Sequence, residues 1–198
     1  MLRIEIMEYA MEQFHKFGLK KIKVDDLAAY FSISKRTLYE MFENKEQLII
    51  ACYNYYFHKN QVCVQNIIDK VGNTLEKYIV FIHQSIMDMS KLNPAFYEDS
   101  QKYPALLKSV KDTASERNRF ALEFINKCIE EGLFVRDFNY NIVIELMNIL
   151  VHNIVNSELY KKYGMNEIMQ NITMILFRGC CTKKGLEVLD EFLKKVKD

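Results

Sequence analysis

Apolar residues recur at three- and four-residue spacings along most of this chain, which predicts helices in preference to strands. Near the N-terminus the pattern is short and interrupted. One apolar face covers residues 24–31, a second covers residues 35–42, and a Ser-Ile-Ser run at 32–34 breaks the period between them. Ser34 is well placed as the N-cap of the second helix, because its hydroxyl can accept a hydrogen bond from an otherwise unpaired amide. The segment therefore predicts two short helices joined by a tight turn, which is the layout of a helix-turn-helix.

Helical spacing continues from Lys45 nearly to the C-terminus, with a connector at 134–139. Asn44 and Gln47 form a capping-box pattern where the next helix begins. The further predicted helices are 45–70, 74–91, a short helix beginning at Asn93 and Pro94, 104–132, 140–162, 166–180, and a terminal helix from Gly185 onward. We therefore predict an all-α protein, in which a three-helix N-terminal domain precedes a larger helical C-terminal domain.

Two late helices, 140–162 and 166–180, carry more apolar residues than a single buried face requires. A helix that is apolar beyond one face must be buried on more than one side. Such a helix is either interior to one chain or part of an interface between two chains, and we favour the interface. The residues expected at this dimer interface are Val143, Leu146, Met147, Leu150, Ile154, Ile168, Ile172, Ile175 and Leu176.

The composition is that of an ordinary globular protein, with 49% hydrophobic and 27% charged residues in a chain of 198. Two prolines and six glycines are few, which again favours long helices over a turn-rich β architecture. A net charge of +1 argues against indiscriminate coating of nucleic acid. Near the N-terminus, however, there is a basic cluster: Lys16, Lys20, Lys21, Lys23, Lys35, Arg36 and Lys45. We expect one small domain to bind DNA while the rest of the chain does something else.

The longest apolar runs are about five residues, far short of a membrane span. The N-terminus lacks the apolar core of a signal peptide. The five cysteines are an odd number, without C-x-x-C or Cys/His zinc spacing. These features predict a reduced, cytoplasmic protein that has no structural metal and no cofactor. Cys180 and Cys181 are adjacent, and we interpret them as ordinary thiols on a helix in preference to a redox sensor.

The second helix of the motif presents the side chains that a recognition helix needs. The outward-facing residues of this helix are Lys35, Arg36, Thr37, Tyr39 and Glu40. Lysine and arginine can bond phosphate oxygens or guanine edges, and threonine can do either or touch a thymine methyl. Lys45 adds a cation in the first turn of the next helix, beside amides that favour an anion. Each residue alone could be a solvated surface side chain, but the turn, the caps and the face agree, and together they favour DNA binding.

The segment from Ile6 to about Cys52 resembles the N-terminal DNA-binding domain of TetR-family transcriptional regulators. In that family a first helix ends at a glycine, as Phe14-His-Lys-Phe-Gly18 does here. The motif then closes with Leu-Tyr-x-x-Phe-x-x-Lys-x-x-Leu, which is present from Leu38 to Leu48. The resemblance implies a helix-turn-helix DNA-binding domain at 1–46, followed by a helical ligand-binding and dimerisation domain at 47–198.

The family's residue roles carry over by position. The resemblance implies that Lys35, Arg36 and Thr37 approach bases or backbone, and that Tyr39 and Lys45 clamp phosphates. It also implies a homodimer whose late helices pair with their copies, since a two-fold dimer suits a palindromic operator. The full set of expected DNA-binding residues is Lys23, Ser34, Lys35, Arg36, Thr37, Tyr39, Glu40 and Lys45.

The motif departs from the family pattern at three positions. Threonine usually caps the first helix of the motif, whereas Lys23 can reach a phosphate but cannot cap. Glycine usually holds the turn, so Ser32 is expected to adopt a strained left-handed conformation. A polar residue is common where Met41 stands, so one backbone contact is expected to be missing.

The middle helices are rich in side chains that carry a polar tip on a large apolar body. The resemblance implies a small-molecule pocket in the C-terminal domain, and this composition suits an apolar or aromatic ligand. Such residues at helical spacing are more often core than pocket, and that interpretation stays open. The candidate pocket residues are Tyr56, Phe81, His83, Met87, Tyr103, Phe120, Phe124 and His152.

Three classes of function compete. The leading hypothesis is a dimeric, sequence-specific transcriptional regulator, a repressor that a small-molecule inducer releases. An enzyme is disfavoured, because the chain has no H-E-x-x-H, G-x-S-x-G or Gly-rich phosphate loop. The third is a helical partner-binding protein of the same fold without DNA or ligand response, and the intact polar face at 35–39 argues against it.

Overall fold

The computed structural model describes residues 1–90, 94–157 and 159–195, and within those ranges the chain is helical with no β-strand. An isolated antiparallel bridge joins Phe134 to Cys181. The helices are α1 (Leu2–Phe17), α2 (Val24–Tyr30), α3 (Lys35–Phe42), α4 (Lys45–Ile68), α5 (Thr74–Ser90), α6 (Pro94–Ser100), α7 (Pro104–Glu130), α8 (Tyr140–Asn156), α9 (Leu159–Tyr163), α10 (Met165–Ile172), α11 (Arg178–Cys180) and α12 (Lys183–Lys195), with a π-helical turn at Thr173–Phe177. The predicted all-α fold is confirmed.

The first helices begin where their caps indicate. α3 starts directly after Ser34, and α4 starts directly after Asn44, whose Oδ1 accepts a hydrogen bond from the amide of Gln47 at 2.9 Å. α1 ends before Gly18, whose φ of 79° and ψ of 169° belong to a region that essentially only glycine enters. A β-carbon at Gly18 would also lie 3.0 Å from the Cβ of Ala95 on α6. This glycine therefore fixes how the chain leaves α1.

The predicted helix at 140–162 is divided into α8 and α9, and residue 158 lies outside the described ranges. Near the break, side chains bond back to the backbone. The Oγ of Ser157 donates to the carbonyl of Asn153 at 2.6 Å, and the Nδ2 of Asn153 donates to the carbonyl of Ile149 at 2.9 Å. Local bonds of this kind compete with the helical ladder.

The other late helices also differ in detail from the prediction. The segment expected to form one helix at 166–180 consists of α10, the π-helical turn and α11 in succession. The terminal helix begins earlier than Gly185, because Thr182 caps it by accepting a hydrogen bond from the Gly185 amide at 3.1 Å. The short helix expected from Asn93 and Pro94 is α6, which begins at Pro94, and Asn93 lies outside the described residues.

The chain forms two compact units. Unit 1 comprises Met1–Cys63 and Lys91–Ser115, and unit 2 comprises Val64–Ser90 and Glu116–Asp198. This division differs from a boundary after residue 46, because α6 and the first part of α7 share the core of α1–α4. Phe96 and Leu106 are fully buried in the same cluster as Phe14. As a division between DNA-binding and ligand-binding functions, the boundary after residue 46 stays a prediction.

Unit 2 is built around two apolar cores. In the first, Tyr78 packs with Ile125 and Phe177, and Gly185 lets α12 approach the connector before α8. A β-carbon at Gly185 would lie 2.0 Å from the carbonyl oxygen of Leu133, so the backbone is admitted there only without a side chain. The second core contains Ile86, Met147, Val151, Ile154, Ile168 and Ile172, which come from α5, α8 and α10.

This second core corrects part of the predicted dimer interface. Met147, Ile154, Ile168 and Ile172 are at most 9% exposed, because they pack inside the chain in the same cluster as Ile86 of α5. They are therefore not available to a second copy. Of the other predicted residues, Val143 and Leu176 are half-buried, and the exposed ones are Leu146 at 57%, Leu150 at 38% and Ile175 at 71%.

The adjacent cysteines are buried thiols. Cys180 ends α11, but Cys181 is extended and forms the bridge with Phe134, so the expectation that both lie on a helix is wrong for Cys181. Burial raises the pKa of both thiols, in Cys181 to about 12. A protonated thiol is a poor nucleophile, so this pair is not primed for redox chemistry at neutral pH.

Ser32, in the turn between α2 and α3, has a φ of 54°, which confirms the expected left-handed conformation. The turn is fixed by backbone bonds: the amide of Ser32 donates to the carbonyl of Ala29 at 3.1 Å, and that of Ile33 to the carbonyl of Ala28 at 3.0 Å. A left-handed conformation costs a non-glycine residue about 1–2 kcal/mol. The motif therefore keeps its geometry at a cost in stability.

Replacing Ser32 with glycine should raise the free energy of unfolding by about 0.5–1 kcal/mol, because the strain is removed while the unfolded chain gains some freedom. Urea denaturation followed by circular dichroism measures the change. Ser32→Ala is the matched control, since it keeps the β-carbon and the strain and should give no gain. Equal stabilisation by both substitutions would show that the turn is unstrained.

Candidate DNA-binding site

The N-terminal end of α3 is organised by its cap. The Oγ of Ser34 accepts a hydrogen bond from the amide of Thr37 at 3.0 Å and lies 2.8 Å from the Oγ1 of the same residue. The predicted N-cap is confirmed. On the opposite side of the helix, Leu38 and Phe42 are buried in the core of unit 1. The first turn of α3 is therefore held rigidly with its polar side outward.

The cations of α3 are exposed and paired with carboxylates. The Nζ of Lys35 lies 2.9 Å from the carboxylate of Asp25 on α2, and this hydrogen bond raises the pKa of Lys35. The Nε of Arg36 donates to Glu40 at 3.0 Å, although the arginine side chain is 88% exposed. Exposed pairs of this kind contribute less than about 1 kcal/mol each. DNA phosphates can therefore displace both carboxylates at small cost.

The other expected DNA contacts take different positions. Tyr39 is half-buried and packs against the core of unit 1. Lys23 is exposed at the start of α2 and makes no side-chain cap, as its residue type predicts. The Nζ of Lys45 donates to the carbonyl of Leu19 at 2.8 Å, and burial lowers the pKa of its amine. In this structure Lys45 holds the backbone between α1 and α2, and its contact with phosphate stays a prediction.

The turn at residues 18–20 is also held by α6, within unit 1. The Oδ2 of Asp99 accepts a hydrogen bond from the amide of Lys20 at 2.7 Å. Asp99 is buried, and the Nζ of Lys102 lies 3.3 Å from its Oδ1. We call the Asp99–Lys20 bond, together with the close approach of Gly18 to Ala95, the α6 latch.

Sequence reasoning missed the α6 latch and the partner of Lys35. Asp99 and Lys20 lie 79 positions apart, and Asp25 and Lys35 lie on different helices, so no local pattern links them. The pair between Arg36 and Glu40 has a helical spacing of four residues and could have been found from the sequence.

The candidate pocket residues are dispersed over both units. Phe81 lines a cleft among α5, α7 and α8, which we call the α5–α7–α8 cleft, and His152 lines a groove between α7 and α8. Tyr56 and Tyr103 belong to unit 1, where they pack against its core. The structure therefore does not gather the expected residues around one cavity.

The remaining candidates lie on α5 and α7. Phe124 stacks on Tyr78 with ring centroids 6.0 Å apart, and the guanidinium of Arg119 lies over the ring of Phe120. His83 and Met87 are half-buried on α5, and burial lowers the pKa of His83. Their assignment to a ligand pocket stays a prediction.

Among the described residues, no group of three His, Cys, Asp or Glu side chains is arranged to hold a metal ion. No helix within the same residues combines the length and the apolar character that crossing a membrane requires.

Comparison with known proteins places this geometry in a class. Residues 6–52 match the tetR family of bacterial regulatory proteins. An uncharacterised HTH-type transcriptional regulator of Bacillus subtilis, YvaF, is 24% identical over 160 residues, which cover 79% of this chain and 84% of YvaF. The matched segment contains the whole helix-turn-helix, so the class is a helix-turn-helix transcriptional regulator.

Solved structures share the fold over most of the chain. A TetR-family regulator from Cytophaga hutchinsonii superposes with a TM-score of 0.76 at 21% identity, covering 92% of this chain and 96% of that one. The transcriptional regulator FadR from Bacillus subtilis, solved with stearoyl-CoA, superposes with a TM-score of 0.72 at 14% identity, covering 89% of this chain and 98% of that one. The N-terminal segment is therefore similar to the tetR family of bacterial regulatory proteins, and most of the chain shares a fold with regulators of that kind.

Arg36→Met should weaken binding to a specific DNA site about 10-fold, equivalent to about 1.4 kcal/mol, with stability unchanged because the side chain is exposed. Fluorescence anisotropy with DNA selected from a random pool measures the affinity. Arg136→Met, at an exposed position in the connector before α8, is the matched control and should bind normally. Unchanged affinity of Arg36→Met would show that Arg36 does not contact DNA.

Lys45→Met should behave differently, because it removes the donor to the Leu19 carbonyl. We expect a loss of about 1 kcal/mol in the free energy of unfolding, measured by urea denaturation without DNA. Lys127→Met, at an exposed position on α7, is the control and should leave the unfolding midpoint unchanged. A stable Lys45→Met variant that only loses DNA affinity would instead assign Lys45 to phosphate contact alone.

Proposed function

We propose that this protein is a homodimeric repressor that binds a palindromic operator through α3 and leaves it when a small molecule binds unit 2. The observation that carries the proposal is the first turn of α3, a capped helix start with Lys35 and Arg36 exposed on its outer side. Helix N-termini favour phosphates, and such cations reach phosphates or guanine edges. A repressor works on chromosomal DNA, and we therefore propose a cytoplasmic location.

Dimerisation is supported by one face of α8. Ile142, Leu146, Ile149 and Leu150 are spaced to lie on the same side of the helix, and each is at least 38% exposed. Large apolar side chains clustered on an exposed surface mark an interaction site. A two-fold dimer that covers this face would present two copies of α3 to half-sites about one DNA turn apart, roughly 34 Å.

A response to a small molecule is supported by the α5–α7–α8 cleft in unit 2. Regulators of this fold were solved with different ligands, choline for one from Saccharomonospora viridis and stearoyl-CoA for FadR from Bacillus subtilis. Ligand binding can shift the population of two conformations only if it prefers one of them. A ligand that fills a cleft among three helices would change how those helices pack. It would therefore favour the conformation in which they have moved apart.

Coupling between ligand binding and DNA binding is supported by α7, which belongs to both units. α7 contributes Leu106 to the core of unit 1, and it contributes Asn118 to the cleft in unit 2. α6, which precedes α7, carries the Asp99 that holds the turn before α2. A ligand that displaces α7 would thereby bias the α6 latch, and the latch in turn positions the helix-turn-helix.

Asp99→Asn should weaken the latch, because a charge-assisted hydrogen bond to the Lys20 amide becomes a neutral one. We expect a loss of about 1 kcal/mol in unfolding free energy and a several-fold loss of operator affinity. Asp112→Asn, at an exposed position on α7, is the control for the loss of one negative charge. If Asp99→Asn matches the control in both measurements, the latch does not position the motif.

The function itself is tested with the purified full-length protein and the DNA that flanks its own gene, against a scrambled fragment at two salt concentrations. We expect selective binding that weakens with salt, because each phosphate contact adds about −0.9 to the logarithmic slope. Light scattering of the free protein should give a dimer. Absence of salt-dependent binding to any DNA would favour the helical partner-binding alternative.

A further inference from the structure

We propose that the ligand of unit 2 is a monoanion with an apolar body, whose acidic head is held by Arg117 and Asn118 and whose body lies in the α5–α7–α8 cleft. The inference rests on the proposed function and extends it by naming the chemistry of the inducer. It differs from the expectation of a merely apolar or aromatic ligand, because the cleft carries a positive charge.

The cleft has mostly apolar walls. Phe81 and Ile86 on α5 line it together with Met147 and Val151 on α8. Of the described residues that line it, Arg117 alone is charged at neutral pH. An apolar enclosure with a single cation suits a ligand that has one acidic group and a hydrocarbon or aromatic body.

Arg36, Arg119 and Arg178 pair with carboxylates, whereas Arg117 has no such partner among the described residues. It is half-buried, and within the described residues no carboxylate oxygen lies within 4 Å of its guanidinium. Its helical neighbours three and four positions away are Thr113, Ala114, Phe120 and Ala121, so α7 supplies no acidic partner.

Arg119 shows what ordinary pairing on this helix is. It is more exposed than Arg117 and pairs with Glu123 at a distance of 3.9 Å. A cation that is partly withdrawn from water and lacks a counter-charge loses solvation without compensation. A bound anion at Arg117 would supply that compensation, whereas a cationic ligand would be repelled.

Two amide side chains, Asn118 and Asn148, line the same cleft as Arg117. The Nδ2 of Asn148 donates to the Oδ1 of Asn118 at 3.1 Å, which leaves the Nδ2 of Asn118 to donate to a ligand. The hydroxyl of Ser85 is already committed to the carbonyl of Phe81 at 2.8 Å. The donors of Arg117 and Asn118 match a carboxylate, which accepts hydrogen bonds and donates none.

The dimensions of the cleft indicate that binding must open it. It encloses about 50 Å³, which is room for one or two water molecules at roughly 30 Å³ each. A groove of about 610 Å³ between α7 and α8 adjoins it and shares Asn118, Ile144 and Asn148 with it. We infer that the ligand enters from the groove and parts α7 from α8. Glu145 also lines the groove and repels an anion there, so the acidic head is expected to rest at Arg117 and not in the groove.

The test uses three probes of matched chain length on the full-length protein without DNA: octanoate, octan-1-ol and octyltrimethylammonium. Titration calorimetry and thermal unfolding measure binding, because a ligand specific for the folded state raises the unfolding temperature. We expect octanoate to bind at least 10-fold more tightly than either of the others. Equal binding of octanoate and octan-1-ol, preference for the cation, or no binding of octanoate would each overturn the proposal.

Substitutions then locate the charge. Arg117→Met should weaken octanoate at least 10-fold and leave octan-1-ol unchanged, whereas Arg117→Lys should retain part of the affinity. Arg119→Met, two positions along the same helix, should bind octanoate like the unmodified protein. Unchanged octanoate affinity in Arg117→Met would overturn the assignment. If Arg117→Met fails to fold, the comparison of probes on the unmodified protein still decides.

The failure of this inference is distinguishable from failure of the proposed function. Selective, salt-dependent operator binding without any octanoate preference would contradict the proposal of an anionic ligand and support the proposed repressor function. Octanoate binding that depends on Arg117, in a protein that binds no DNA selectively, would support the ligand site and contradict the proposed repressor function.

Discussion

The DNA-binding unit depends on how the chain is held between α1 and α2. At Gly18 the backbone enters a conformation that a β-carbon would block, and the carbonyl and the amide of the next two residues are then bonded by Lys45 and Asp99. Lys45 lies on α4 and Asp99 on α6, so two separate helices hold the turn. Apolar packing of α2 and α3 on the core is non-directional. The two hydrogen bonds, by contrast, fix particular groups of the turn that leads into α2.

The local features of the site could be predicted from the sequence because their causes are local. Ser34 and Asn44 mark the starts of α3 and α4 through side chains that bond amides three residues away. Ser32 takes a left-handed conformation because the turn requires one, whatever residue stands there. The short-range pattern of apolar and polar residues was therefore enough to predict the helix-turn-helix and its outward face.

The long-range features could not be predicted, because sequence periodicity shows that a residue is apolar or charged but not what it meets. Met147 and Leu146 are neighbours in one apolar stripe, yet the first packs inside the chain and the second is 57% exposed. The position of Lys45 in the motif predicts a contact with phosphate, but in the folded chain its Nζ donates to the carbonyl of Leu19, in the turn between α1 and α2. Met147 packs with Ile86, and Lys45 bonds Leu19, and both partners are distant in sequence.

Charge pairing distinguishes the two proposed binding sites. Lys35 and Arg36 carry nearby carboxylates, which reduce the positive field of α3 and leave a cost to be overcome before any DNA is bound. These weak exposed pairs reduce the electrostatic part of DNA binding, which is the same for every sequence, and leave base contacts to supply the preference for a particular site. Arg117 has no such partner among the described residues, which leaves its charge available to a small anion.

The most direct test of the central claim is selection of binding sites from random double-stranded DNA by the full-length protein. A homodimer that reads DNA through α3 should enrich a palindrome, with half-sites whose centres lie about 10 base pairs or a multiple of that apart. Each half-site would be read by one copy of α3. Enrichment of an unsymmetrical sequence would contradict the dimeric arrangement. Enrichment of no sequence at all would contradict the assignment of α3 as a recognition helix.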